Sequence, residues 1–169
     1  RQEVEAQGLG SLFVLKVEER TKRFLSFGTG ALSFEMVALP HRGGDILCYI
    51  TTIKEPFTYS SISFFNRRGE ALPPVSFLPS CPITDLLLPE SLLSDCPITN
   101  LLLPEASDQD RANVFSLARY ITYSSREEVL TVSLVPESAS TEEEKAHWRA
   151  LLRPDPLRLK WKRKSFQLQ

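Results

Sequence analysis

Glycine is scarce in this chain: 7 residues in 169, against 12 prolines. That ratio excludes a Gly-rich linker and disfavours long helices; it points to short elements separated by stiff turns. No apolar run reaches eighteen residues, so no transmembrane helix is expected. Cysteine is also sparse, with Cys48, Cys81 and Cys96 only. An odd count argues against a disulfide-built secreted domain, and no Asn-x-Ser/Thr site occurs. A reducing interior is expected, an organelle matrix such as the mitochondrial one, or the cytoplasm.

The catalytic signatures are missing as well. Two histidines, His41 and His147, share no ligand spacing with the cysteines, so no metal site is expected. Serines are plentiful, but no G-x-S-x-G elbow appears. Gly28-Thr29-Gly30 lacks the third glycine and the following helix of a phosphate loop. The pair His41 and Cys48, seven residues apart, carries no flanking signature of a thiol nucleophile. No catalytic residue, cofactor or metal is therefore assigned.

What is present has the composition of a globular domain: 42% hydrophobic, 24% charged and ten Phe. Residues 1–10 are polar and read as a lead-in to a single β-rich domain over 11–169. Short runs rich in Val, Ile, Thr and aromatics predict strands at 11–19, 31–39, 45–53, 59–66, 115–123 and 128–136. The HRGGD and RRGE stretches read as turns. ALPPVSFLPS, broken by prolines, reads as irregular, and ASDQDRAN as a polar spacer. One short helix is expected at 140–152. Thr141 and Glu144 fit a capping box, and Glu142 and Glu143 complement the helix dipole in the first turn. Trp148, Leu151 and Leu152 form its apolar stripe. The fold class is mainly β: an antiparallel sandwich or partly open barrel with this helix and a final basic strand.

Two features stand out against that background. Residues 145–164 carry eight Lys or Arg and one acid, whereas the rest of the chain holds twelve basic and twenty acidic residues. Within this stretch, 157–166 alternates, so Arg158, Lys160, Lys162 and Lys164 are expected on one face of a strand, about 7 Å apart. Arg67 and Arg68 are candidates to join them. The second feature is a duplication at 81–105, CPITDLLLPE returning as CPITNLLLPE. Two prolines in each copy bracket a natural short strand, and the copies stack in parallel, fold back as a hairpin or form a permissive loop. Its leucines outnumber the inward positions of so short an excursion. Leu87, Leu92, Leu93 and Leu102 are therefore candidate apolar contacts.

The leading functional reading is a non-catalytic structural or interaction subunit of a larger assembly. It would dock on other protein subunits through the Leu-rich segment and the basic strand. The alternative is an RNA- or DNA-binding module using the basic face of 157–166. A third is an enzyme whose site is assembled from distant residues.

Overall fold

The computed structural model describes residues 3–6, 13–79 and 97–169. Its strands form two antiparallel sheets. The first is a meander in chain order: β1 (Glu3–Ala6), β2 (Phe13–Arg20), β3 (Phe24–Gly28), β4 (Leu32–Leu39), β5 (Ile46–Ile53), β6 (Tyr59–Phe65) and β7 (Ala71–Leu72). The second contains β8 (Ala118–Ser124), β9 (Val129–Val135), β10 (Leu157–Trp161) and β11 (Phe166–Leu168), ordered β11-β10-β9-β8. The mainly β sandwich expected from composition is present, and the sheets do not close into a barrel.

Period-2 alternation explains the core. On β5 every second residue, Ile46, Cys48 and Ile50, is buried; Val37 and Leu39 of β4 and Ile62 and Phe64 of β6 extend the same face. Ile121, Leu130, Val132, Leu157 and Leu159 answer from the second sheet. Helix α2 (Glu142–Leu151) begins at Thr141 with both halves of the capping box and buries Trp148. The Thr141 hydroxyl accepts from Glu144 N–H at 3.1 Å, and the Glu144 carboxylate accepts from Thr141 N–H at 3.2 Å.

Several expectations are corrected. The polar lead-in contains β1, paired with β2. The stretch after β2, to which the sequence pattern assigned no strand, holds β3, whose buried positions are Phe24, Ser26 and Gly28. Two of those three are small or polar, so no apolar alternation marked it. The spacer at 106–113 contains a short helix, α1 (Asp108–Asn113), started by a Ser107/Asp110 capping box. The second copy of the repeat is not a strand. Pro97–Leu101 forms a 3-10 turn that buries Ile98 and Leu101, and Leu102 behind it is 2% exposed. Leu102 is thus part of the core rather than an apolar contact surface. Its neighbours fasten to the end of α2, through Leu103 N–H to Leu151 O at 2.8 Å and Arg153 N–H to Leu101 O at 2.7 Å. The first copy with Cys81 and Leu87, the spacer with Leu92 and Leu93, and Cys96 at the start of the second copy lie outside the described residues.

The junction between the sheets is polar as well as apolar. Strand β8 is the free edge of the second sheet and presents unpaired backbone groups toward the first. Ser60 on β6 meets them: its hydroxyl accepts from Ile121 N–H at 3.0 Å and bonds Thr52 Oγ1 at 2.8 Å. Two residues on, Glu35 of β4 accepts from Tyr123 N–H at 2.9 Å. Ser60→Ala strands the buried Ile121 N–H. It is expected to lower the stability measured by urea unfolding by about 1–3 kcal/mol; a loss below about 0.5 kcal/mol would show that the junction does not need this bond.

Candidate functional site

Antiparallel connectivity brings five turns to one end of the sandwich. In the meander, β2, β4 and β6 all finish at that end, so their turns, 21–23, 40–45 and 66–70, lie there. The turns after β8 (125–128) and β10 (162–165) arrive from the second sheet. Contacts tie them together. Arg67 Nη2 lies 3.5 Å from Asp45, Ala38 N–H bonds Arg23 O at 2.8 Å, and Ser125 bonds the Glu19 carboxylate. Trp161 Nε1–H donates to Pro40 O at 2.7 Å and locks the β10–β11 turn against the first sheet.

These turns are basic. They contain Lys22 and Arg23, then Arg42, Arg67 and Arg68, then Arg126, and finally Lys162, Arg163 and Lys164. The acids among them are Asp45, Glu70, Glu127 and Glu128. Three of these are engaged: Asp45 with Arg67, Glu127 with Arg158, and Glu70 with the Asn66 amide. Of the nine cations, only Arg67 has an ion-pair partner among the described residues.

The expected row of four cations along one strand does not form. Strand β10 ends at Trp161, and Lys162, Arg163 and Lys164 make a tight turn closed by Lys162 N–H to Ser165 O at 2.9 Å. Only Arg158 and Lys160 share the outer face of β10, and Arg158 is occupied by Glu127 and Gln169. Lys162 and Lys164 instead join Arg67 and Arg68 at the basic end. The sequence marked those residue types but not their meeting place. It missed Lys22, Arg23, Arg42, Arg126 and Arg163, for which a basic residue in a turn was the available signal.

A cleft of about 490 Å³ opens in this end between the sheets. Its floor is apolar, formed by Phe24, Val37 and Leu39, with Trp161 and Tyr123 as aromatic walls. Lys22, Arg23 and Arg163 line it too, with one carboxylate, Glu128. Arg163 and Glu128 have φ of 62° and 57°, and no other described non-glycine residue has positive φ. Such backbone favours glycine, so both charged side chains are held there at a local cost.

Glu35, on β4 and bonded to the N–H of the cleft residue Tyr123, has its carboxyl pushed up to about 7. Burial is the main cause; Glu18 and Glu19 add to it, and the Tyr123 N–H opposes it. Glu35 is not among the cleft-lining residues. Burial pushes the Tyr123 hydroxyl up to about 12, so it stays protonated. Cys48 is fully buried and its thiol is pushed far up, which leaves it an unreactive core residue rather than a partner for His41. Among the described residues, no three His, Cys, Asp or Glu side chains gather as metal ligands would, and no helix is long and apolar enough to cross a membrane.

Comparison with known proteins gives a family and a fold. The model of a family described as "Protein of unknown function (DUF3256)" matches residues 15–166. No curated protein matches the chain. A similar solved structure is that of a domain of an uncharacterized protein from Porphyromonas gingivalis W83, at 20% identity and a TM-score of 0.69. The match covers 99% of this chain and 79% of that one. Likeness at this identity carries the fold alone.

Two outcomes test the site's physics. The folded chain keeps the Glu35 proton between about pH 4.5 and 7, where the unfolded chain has released it, so stability falls as pH rises through that window. Glu35→Gln is expected to flatten this slope in thermal unfolding midpoints followed against pH; an unchanged slope would remove Glu35 as its source. Arg163→Gly relieves the left-handed backbone. It is expected to keep or raise stability, by up to ~1 kcal/mol in urea unfolding; a clear loss would mean that the Arg163 side chain holds the turn.

Proposed function

The chain belongs to the DUF3256 family, and we propose that it is a non-catalytic interaction module that docks an acidic protein partner on the basic end of its sandwich. The observation that carries this reading is the gathering of nine cations from five separate turns, eight of them without an ion pair among the described residues. Like charges crowded on one surface repel one another. A partner of opposite sign relieves that repulsion and is steered toward the surface.

The expected subunit role is kept, with its contact surface moved. The basic contact is one end of the molecule rather than one face of a strand. Leu102 contributes to the core, so it offers no second docking surface. Two findings favour a binding role over catalysis: the Cys48 thiol is buried, and Glu35, the described carboxylate with the strongest upward shift, has an oxygen engaged by backbone. The expectation of a reducing interior rests on the odd cysteine count and the lack of an Asn-x-Ser/Thr site.

Binding of labelled polyglutamate to the whole chain tests this. It is expected at about 50 mM salt and should weaken as salt screens the exposed charges. Replacing Lys162, Arg163 and Lys164 together by Ala should weaken it roughly tenfold, three exposed charge contacts at about 0.5 kcal/mol each. Tighter binding of an oligothymidine of matched length would favour the nucleic-acid reading instead, and an affinity untouched by the triple change would overturn docking at this end.

A further inference from the structure

We infer that the cleft between the sheets holds an aromatic side chain of the partner, presented by an acidic segment whose carboxylates lie on the surrounding cations. This inference rests on the docking reading above and adds to it a pocket, an anchor and a polarity.

The cleft has two chemistries in one place. Phe24, Val37 and Leu39 give it a floor continuous with the hydrophobic core, and its volume falls within the range of pockets that enclose a compact group. The Trp161 wall is fixed, because its indole N–H is committed to Pro40 O and its ring packs on Phe166 at 5.1 Å. A wall fixed in advance loses little freedom when a side chain enters. A purely apolar guest would leave Lys22, Arg23 and Arg163 unanswered, and a small anion would leave the floor unfilled. An aromatic anchor flanked by carboxylates satisfies both, which is the arrangement of a buried hot spot within a charged rim. Glu128, the single carboxylate of the lining, repels acidic flanks from its own wall and so biases how the segment lies across the mouth.

Nucleic acid fits the same surface less well. Single strands are held by exposed rings on which successive bases stack. Here the aromatic rings are walls and internal packing partners, Tyr123 against Phe24 at 5.8 Å and Trp161 against Phe166. The large hydrophobic residues that stand exposed among the described residues, Ile53, Val75, Tyr120 and Leu168, all lie outside the five basic turns. The site accepts one inserted ring rather than a series of stacked ones.

The test uses the whole chain and two fluorescein-labelled heptapeptides followed by anisotropy at about 50 mM salt. One has Phe between two runs of three Glu, and the other has Ala in its place. The Phe peptide is expected to bind at least tenfold more tightly, a difference that burial of one aromatic side chain readily supplies. Ser125→Trp, at a half-buried position in the cleft lining, fills the cleft above its apolar floor and gives up the Ser125 bond to Glu19. It should erase that difference and leave the weak Ala peptide binding in place. Equal affinities of the two peptides for the wild-type chain would overturn the pocket while leaving charge-driven docking intact. Failure of both peptides, with an oligothymidine still binding, would overturn the pocket and the docking reading together.

Discussion

The side-chain capping of the β8 edge is the contact on which the rest of the structure depends. A free strand edge facing another sheet buries backbone donors that water no longer reaches. Ser60 and Glu35 supply acceptors at alternate residues, Ile121 and Tyr123, so the edge is satisfied without a twelfth strand. These bonds join the sheets in one alignment. That alignment places the ends of β2, β4, β6, β8 and β10 beside one another, and the basic turns and the cleft exist only because it does.

The same alignment explains why a chain of net charge -1 has a strongly basic end. Turns tolerate cations because their side chains remain in water, whereas the alternating strands hold most of the core. Collecting nine cations at one end still costs repulsive energy. The fold adds to that cost by holding Arg163 and Glu128 in left-handed backbone at the cleft. Stability alone would select neither feature, which is consistent with a surface shaped for a partner. Glu35 belongs to the same economy of charge: its partial burial is compatible with its capping role because the group readily keeps its proton.

Much of the fold was legible in local pattern. The alternation of β4, β5, β6 and β9 is written in apolar residues two apart, and Thr141 with Glu144 announces α2. Strand β3 was not legible, since its buried face uses Ser26 and Gly28 and its identity comes from pairing with β2 and β4. Helix α1 was signalled by Ser107 and Asp110, but polarity along the whole stretch concealed it. The basic stretch at 157–166 was legible as charge and misread as geometry. Alternation continues through Lys162 and Lys164, yet Trp161 bonds Pro40 and Phe166 bonds Phe77, and between those two anchors the chain turns.

The duplicated Pro-Leu phrase shows the same division. Its repetition drew attention to leucines with nowhere to go; in the described part of the second copy, Ile98, Leu101 and Leu102 go into the core beneath α2. The sequence by itself determined most of the longer strands, the capped helix α2 and the kinds of residue that occupy the turns, because these follow from local periodicity and backbone chemistry. Only the tertiary structure decided which turns meet, which leucines are buried and where the cations surround an apolar cleft. Those outcomes depend on pairing between residues tens of positions apart, and no local pattern encodes such pairing.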